Sequence, residues 1–208
     1  GLATMLVVLT TDAITTAAEL DTALKAATRT TFDRLDSDGA MSTNDTVLLL
    51  ASGASGMEPG VDVLGQAVTM VCDHLADALL ADAEGSTKDI VIEVIHAASE
   101  DDAVEVGRAV ARNNLVKTAL FGCDPNWGRI VAAVGTTRAE FDAEQLDVAI
   151  NGVWICRNCA PGEDRSKVDL TGRGVHIVID LNAGSRTATI RTNDLSHAYV
   201  EENSAYST

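Results

Sequence analysis

Aromatic residues are scarce in this 208-residue sequence: two Trp, two Tyr and three Phe. That leaves little flat surface on which bases could stack, which argues against single-stranded nucleic acid as a ligand. Positive charge is short as well, with 15 Lys and Arg against 31 Asp and Glu and a formal net charge of −16. A field of that sign repels phosphate backbones and anionic lipid, so the expectation is no nucleic-acid partner and no membrane partner. No uninterrupted apolar run approaches the roughly 20 residues that span a bilayer. No basic, apolar leader resembles a signal peptide, although a processed chain would have lost one. The three prolines form no linker, and neither a repeat nor a low-complexity tract interrupts the chain. One domain is the economical reading.

Cysteine is limited to Cys72, Cys123, Cys156 and Cys159, and only the last two form a motif, "CRNC". A thioredoxin-like pair needs a helix N-terminus to lower the thiol pKa, whereas "VAINGVWI" before it and "APGED" after it read as strand and turn. Zinc would need two further ligands from distant segments. Reduced structural thiols are the first reading, zinc the second, and an intracellular, cytoplasmic chain the expectation.

What the sequence does have is alternation. "TMLVVL" reads as a short strand, and "TAAELDTALKAATRTTFDRL" as a helix opened by a capping box between Thr16 and Glu19. "TVLLLAS" is a second strand. A second helix carries apolar residues at Leu64, Val68, Val71, Leu75 and Leu79, with Gly85 placed as its C-cap. "IVIEVI" is apolar on both faces except for Glu93, and a third helix runs from about Asp101 to Ala119. "GVHIVIDL" and "RTATIRT" flank "NAGS", which has hairpin-turn residues. The tail "DLSHAYVEENSAYST" reads as a short helix. Helices layered over sheet, an α/β (α+β) fold, follow from this order.

Single motifs supply little chemistry. "DSDGAMSTND" fails the calcium-loop register, because Arg34 and Asp45 stand where oxygen ligands and a Glu are needed. "FGCDPNWG" lacks the Lys-Ser/Thr of a phosphate loop. His74, His96, His176 and His197 form no ligand pair at helical spacing, and no G-x-S-x-G nominates a serine. No metal and no cofactor is expected.

The combination carries more. "GLATML", "DGAMSTNDT", "AEGSTK", "LVKTALFGCDPNWGRI" and "HAYVEENSAYST" occur in this order across essentially the whole chain. Together they resemble the β chain of the ornithine acetyltransferase (glutamate N-acetyltransferase) family of arginine biosynthesis. The resemblance implies a layered αββα sandwich of the N-terminal-nucleophile-like ornithine acetyltransferase/aminopeptidase type. It implies a precursor that cuts itself between Ala3 and Thr4, leaving residues 1–3 before the cut and a single β-chain domain over 4–208. Thr4 is then the catalytic nucleophile, with its freed α-amine as base. The implied reaction is a ping-pong transfer from N-acetylornithine to glutamate through acetyl-Thr4, and acetyl-CoA as a further donor is left open.

Substrate contacts carry over to Thr4, Glu84, Asn203 and Thr208. Glu84 suits the amino group that both amino-acid substrates carry, and would otherwise be a solvated carboxylate at a helix end. Asn203 offers donor and acceptor to a zwitterion, and would otherwise cap the last helix. Thr208 counts only if the tail folds back into the site. "STNDT", Ser42 to Thr46, is a candidate supporting segment. The implied partner is an α chain from the same precursor, supplying oxyanion-hole donors in an α2β2 assembly. Two other readings compete: an N-terminal-nucleophile amidase or aminopeptidase that discharges its acyl group to water, and a non-catalytic subunit that never matures.

Overall fold

In the computed structural model, residues 5–205 are described, and Ala3, Thr4 and Thr208 lie outside them. The chain divides into two compact units, Gly1–Leu79 and Leu80–Thr208.

The first unit is built on a strand–helix–strand crossover. Strand β1 (Leu6–Thr11) buries Val7 and Leu9 by period-two alternation. Helix α1 (Ala17–Thr30) follows. Its capping box is formed as the sequence predicts, with the Thr16 hydroxyl accepting from the Glu19 amide and the Glu19 carboxylate accepting from the Thr16 amide. A short 3-10 turn, Phe32–Arg34, leads to β2 (Thr46–Ala51). The two strands pair in parallel, from Leu6 opposite Thr46 to Thr11 opposite Ala51. A βαβ crossover is what a parallel pair requires.

Helix α2 (Val61–Ala81) is by length and composition long and apolar enough to cross a bilayer, although Asp62, Asp73, His74 and Asp77 interrupt its apolar sequence. Its buried seam differs from the one read off the sequence. Leu64 and Val68 are buried as expected, but the line continues through Cys72, Ala76 and Leu80, and Val71 is exposed. Spacing of four throughout selects the small residues Cys72 and Ala76, which admit closer neighbours than Val71 and Leu75 would.

The second unit holds a six-stranded mixed sheet, with strand order β6-β5-β4-β7-β3-β8. Its strands are β3 (Asp89–Ala97), β4 (Asp147–Ile150), β5 (Val153–Arg157), β6 (Ala160–Pro161), β7 (Gly174–Asp180) and β8 (Arg186–Asn193). Its helices are α3 (Glu100–Ala111), α4 (Asn114–Phe121), α5 (Trp127–Val134) and α6 (His197–Ala205). The single helix expected from Asp101 to Ala119 is broken because the Asn113 side chain caps a new one, accepting from the amides of Leu115 and Val116. The core joins Ile90, Ile92 and Val94 of β3 and Ile177 and Ile179 of β7 to Val106, Val110, Leu120 and Ile130 of the helices. Helix α3 lies so close to β8 that a Cβ on Gly107 would stand 2.6 Å from Ile190 Cγ1.

The expected hairpin of "GVHIVIDL" and "RTATIRT" does not form. β3 sits between them, parallel to β7 and antiparallel to β8. A strand apolar on both faces is best placed inside a sheet, with hydrogen bonds along both edges. The "NAGS" loop spans the end of β3, where Ala183 and Gly184 donate to the His96 carbonyl at 2.8 Å.

Candidate functional site

The residues singled out in the sequence fall into two groups, one in each unit. In the first, Thr4 itself lies outside the described residues, but the chain directly after it is fixed. Asp45, at the end of "STND", accepts from the Met5 amide at 2.8 Å through one carboxylate oxygen and from the Ser42 amide at 3.2 Å through the other. The Thr46 amide then donates to the Met5 carbonyl at 2.8 Å. Both backbone groups of Met5 are therefore tied before β1 begins. Sequence reading marked "STNDT" as a supporting segment and met Asp45 only in the rejected calcium-loop register, since the contact with Met5 spans 40 residues.

A cleft of about 520 Å³ opens at the other end of β1 and β2, lined by Thr10, Thr11, Asp12, Leu50, Ala51 and Ser52. It is a strand length away from Met5, roughly 20 Å, and holds none of the residues named from the sequence.

In the second unit, "EGSTK" is a turn held from three sides. Asp194, at the end of β8 and buried, accepts from the amides of Thr87 and Lys88 at 2.8 Å and from the Thr87 hydroxyl. Asn193 donates to the carbonyls of Leu80 and Lys88 at 3.1 and 3.0 Å. Arg173 donates to the Ala81 carbonyl and the Ser86 hydroxyl at 2.8 and 2.9 Å, and to the Asp89 carboxylate at 2.8 Å. Lys88 is buried and structural, donating to the carbonyls of Leu170 and Gly172 at 2.6 and 2.7 Å.

Gly85 is not the helix C-cap expected of it. α2 ends at Ala81, and Gly85, at φ +63°, receives the base of α6. A Cβ there would stand 2.4 Å from the Tyr199 amide nitrogen. The Ser196 hydroxyl ties the two segments, donating to the Gly85 carbonyl and accepting from the Tyr199 amide at 2.9 Å.

Glu84 thus sits on a rigid turn beside the helix that carries Asn203. Its side chain is exposed and makes no hydrogen bond or ion pair among the described residues. Asn203 does not cap α6. It lies inside the helix, roughly 9 Å along the axis from His197 at 1.5 Å per residue. Its amide donates back to the Tyr199 carbonyl at 3.0 Å, and its side-chain oxygen remains an acceptor. An exposed carboxylate and an exposed amide on neighbouring segments can recognise an ammonium group and a carboxylate or amide, respectively. Asp194, Ser196, Asn193 and Arg173 carried no sequence signal, because their partners are distant in the chain.

Comparison with known proteins gives these positions a context. A family model described as the ArgJ family matches residues 1–208. "Arginine biosynthesis bifunctional protein ArgJ" of Streptomyces avermitilis is 65% identical over 207 residues, covering 100% of this chain and 54% of that protein. The protein of the same name from Thermobifida fusca is 59% identical, again over 100% of this chain and 54% of the relative. The chain spans about half the length of the curated relatives it matches. The crystal structure of "Arginine biosynthesis bifunctional protein argJ" from Bacillus halodurans superposes with a TM-score of 0.92 at 35% identity, over 98% of this chain and 100% of that one. The α/β fold expected from the sequence is the fold of that structure.

Proposed function

This chain belongs to the ArgJ family, and from that premise we propose that it is the nucleophile-bearing half of an acetyltransferase of arginine biosynthesis. The reaction moves an acetyl group from N-acetylornithine to glutamate. The observation that carries the reading is the clamp on Met5. Asp45 fixes the backbone next to Thr4, which is what a nucleophile at the head of β1 requires.

Maturation and catalysis use the same hydroxyl. In the precursor, the Thr4 hydroxyl attacks the Ala3 carbonyl, the peptide bond becomes an ester, and water opens the ester to free the Thr4 α-amine. That amine, with an ordinary pKa of about 7.7–8.0, takes the hydroxyl proton when the oxygen attacks the acetyl carbonyl of N-acetylornithine. Ornithine leaves carrying the proton, and the acetyl-Thr4 ester remains. The glutamate amine then attacks the ester and leaves as N-acetylglutamate. Glu84 pairs with the substrate ammonium group, while Asn203 and Thr208 contact its polar ends.

An α chain from the same precursor completes the site and supplies the oxyanion donors, in a cytoplasmic α2β2 assembly. Two observations support a partner of that kind. The outward face of β1 and β2 is apolar: Leu6, Val8, Leu48 and Leu50 are 70%, 62%, 47% and 54% exposed. Outward faces of half-covered sheets are normally polar, and an apolar one marks an interaction surface. The curated relatives are about twice as long, whereas the matched chain of the Bacillus halodurans structure is covered in full, as a separate polypeptide of this length would be.

The test is product analysis on the full-length precursor supplied with N-acetylornithine and glutamate. Ornithine and N-acetylglutamate should appear in equal amounts, and Thr4→Ala should abolish both cleavage and transfer. Free acetate as the product, or normal cleavage in Thr4→Ala, would contradict the reading.

A further inference from the structure

The "CRNC" motif lies outside the acetyl-transfer reading, and the structure gives it a specific geometry. Cys156 pairs with Pro161 and Arg157 with Ala160 across the β5–β6 hairpin, leaving Asn158 and Cys159 as a two-residue loop. Both loop residues have positive φ, +50° and +55°, as a type I′ turn demands. Asn suits that conformation and glycine usually fills the second place. Cysteine there is held in a strained backbone state, a signature of positions kept for their side-chain chemistry.

The Cys156 thiol and the Cys159 main chain share one acceptor, which puts the Cys156 sulfur beside the Cys159 backbone. The Cys159 amide donates to the Leu146 carbonyl at 2.8 Å, and the Cys156 thiol points at the same oxygen at 3.8 Å. The loop above them is anchored. Asp147 accepts from the Asn158 amide and from Arg157 Nη1, both at 2.7 Å, and the Arg157 guanidinium stacks 3.9 Å over Trp154. Cys156 is fully buried and Cys159 half-buried. Among the described residues, no group of three or more His, Cys, Asp or Glu is placed to hold a metal ion. The pair is a dithiol at the tip of a hairpin.

We propose that Cys156 and Cys159 form a redox modification site that reacts with low-molecular-weight disulfides and closes to an intrachain disulfide. The Cys159 thiolate attacks one sulfur of the small disulfide, that S–S bond breaks, and one small thiol leaves. Cys156 then loses its proton and attacks the Cys159 sulfur, forming the protein disulfide and expelling the second small thiol. Two protein thiols are oxidised and one small disulfide is reduced to two thiols. The order follows from the environments. Burial, with Cys159 and Asp147 adding to it, pushes the Cys156 thiol up to about 11, so Cys156 acts second, when the mixed disulfide is already beside it.

The full-length protein, equilibrated with glutathione disulfide and glutathione at graded ratios, tests this directly. Acid quenching, alkylation and tryptic mapping then read each cysteine, and Arg157 provides a cleavage site between the two. The expected result is a linkage of Cys156 to Cys159 that protects both from alkylation, is reversed by excess reduced thiol and is absent in Cys159→Ser. A lasting glutathione adduct on Cys159 without closure, or alkylation of both cysteines at every ratio, would overturn the proposal.

Discussion

Asp45 commits both carboxylate oxygens to backbone amides, whereas Glu84 makes no hydrogen bond or ion pair among the described residues. The two acids therefore belong to different tasks, one holding the chain next to Thr4 and the other presenting charge outward. Hydrogen bonds to a charged acceptor contribute about 1.5–3 kcal/mol. For Asp45→Ala we expect self-cleavage and turnover to slow by roughly tenfold or more, with the fold retained. The rate of precursor processing, followed by gel alongside circular dichroism, is the measurement, and an unchanged rate would remove Asp45 from the machinery. "EGSTK" and the tail were legible in the sequence because they are local strings. Asp45 was not, because its bond to Met5 exists only once β1 and β2 are paired.

Local signals also predicted elements better than their arrangement. The capping box at Thr16 and Glu19 depends on residues three apart, and it formed as read. The break at Asn113 is a local cap that the helical periodicity masked, whereas the placing of β3 between β7 and β8 depends on what the neighbouring segments bury, and the sequence pattern misassigned both. Gly85 is the sharpest case. Glycine at a helix end suggests a C-cap, but this one is needed for the approach of Tyr199, whose chain position is more than a hundred residues away. α6 buries none of its own residues, so its placement rests on that base. In Gly85→Ala, the new Cβ meets backbone atoms that cannot rotate aside, and positive φ adds strain of order 1–3 kcal/mol. Hydrogen exchange should show α6 losing protection while the β3 amides keep theirs. Equal protection of α6 in the variant would show that its seat lies elsewhere.

At the scale of the whole molecule, the apolar outer face of β1 and β2 and the half-length match to relatives point the same way. In the proposed reading the chain carries a nucleophile and part of a substrate site, and a partner covers the rest. Its fold class was legible from the alternation of strands and helices. The exposure of Leu6, Val8, Leu48 and Leu50 was not legible, because an apolar outer face reads as ordinary strand until its neighbours are known. The central claim rests on one threonine. Intact-mass analysis of the full-length precursor, before and after incubation with N-acetylornithine alone, tests it most directly. The account predicts two chains, the second beginning at Thr4, and the gain of one acetyl group on Thr4. A single uncut chain, or an acetyl group carried by any other residue, would contradict it.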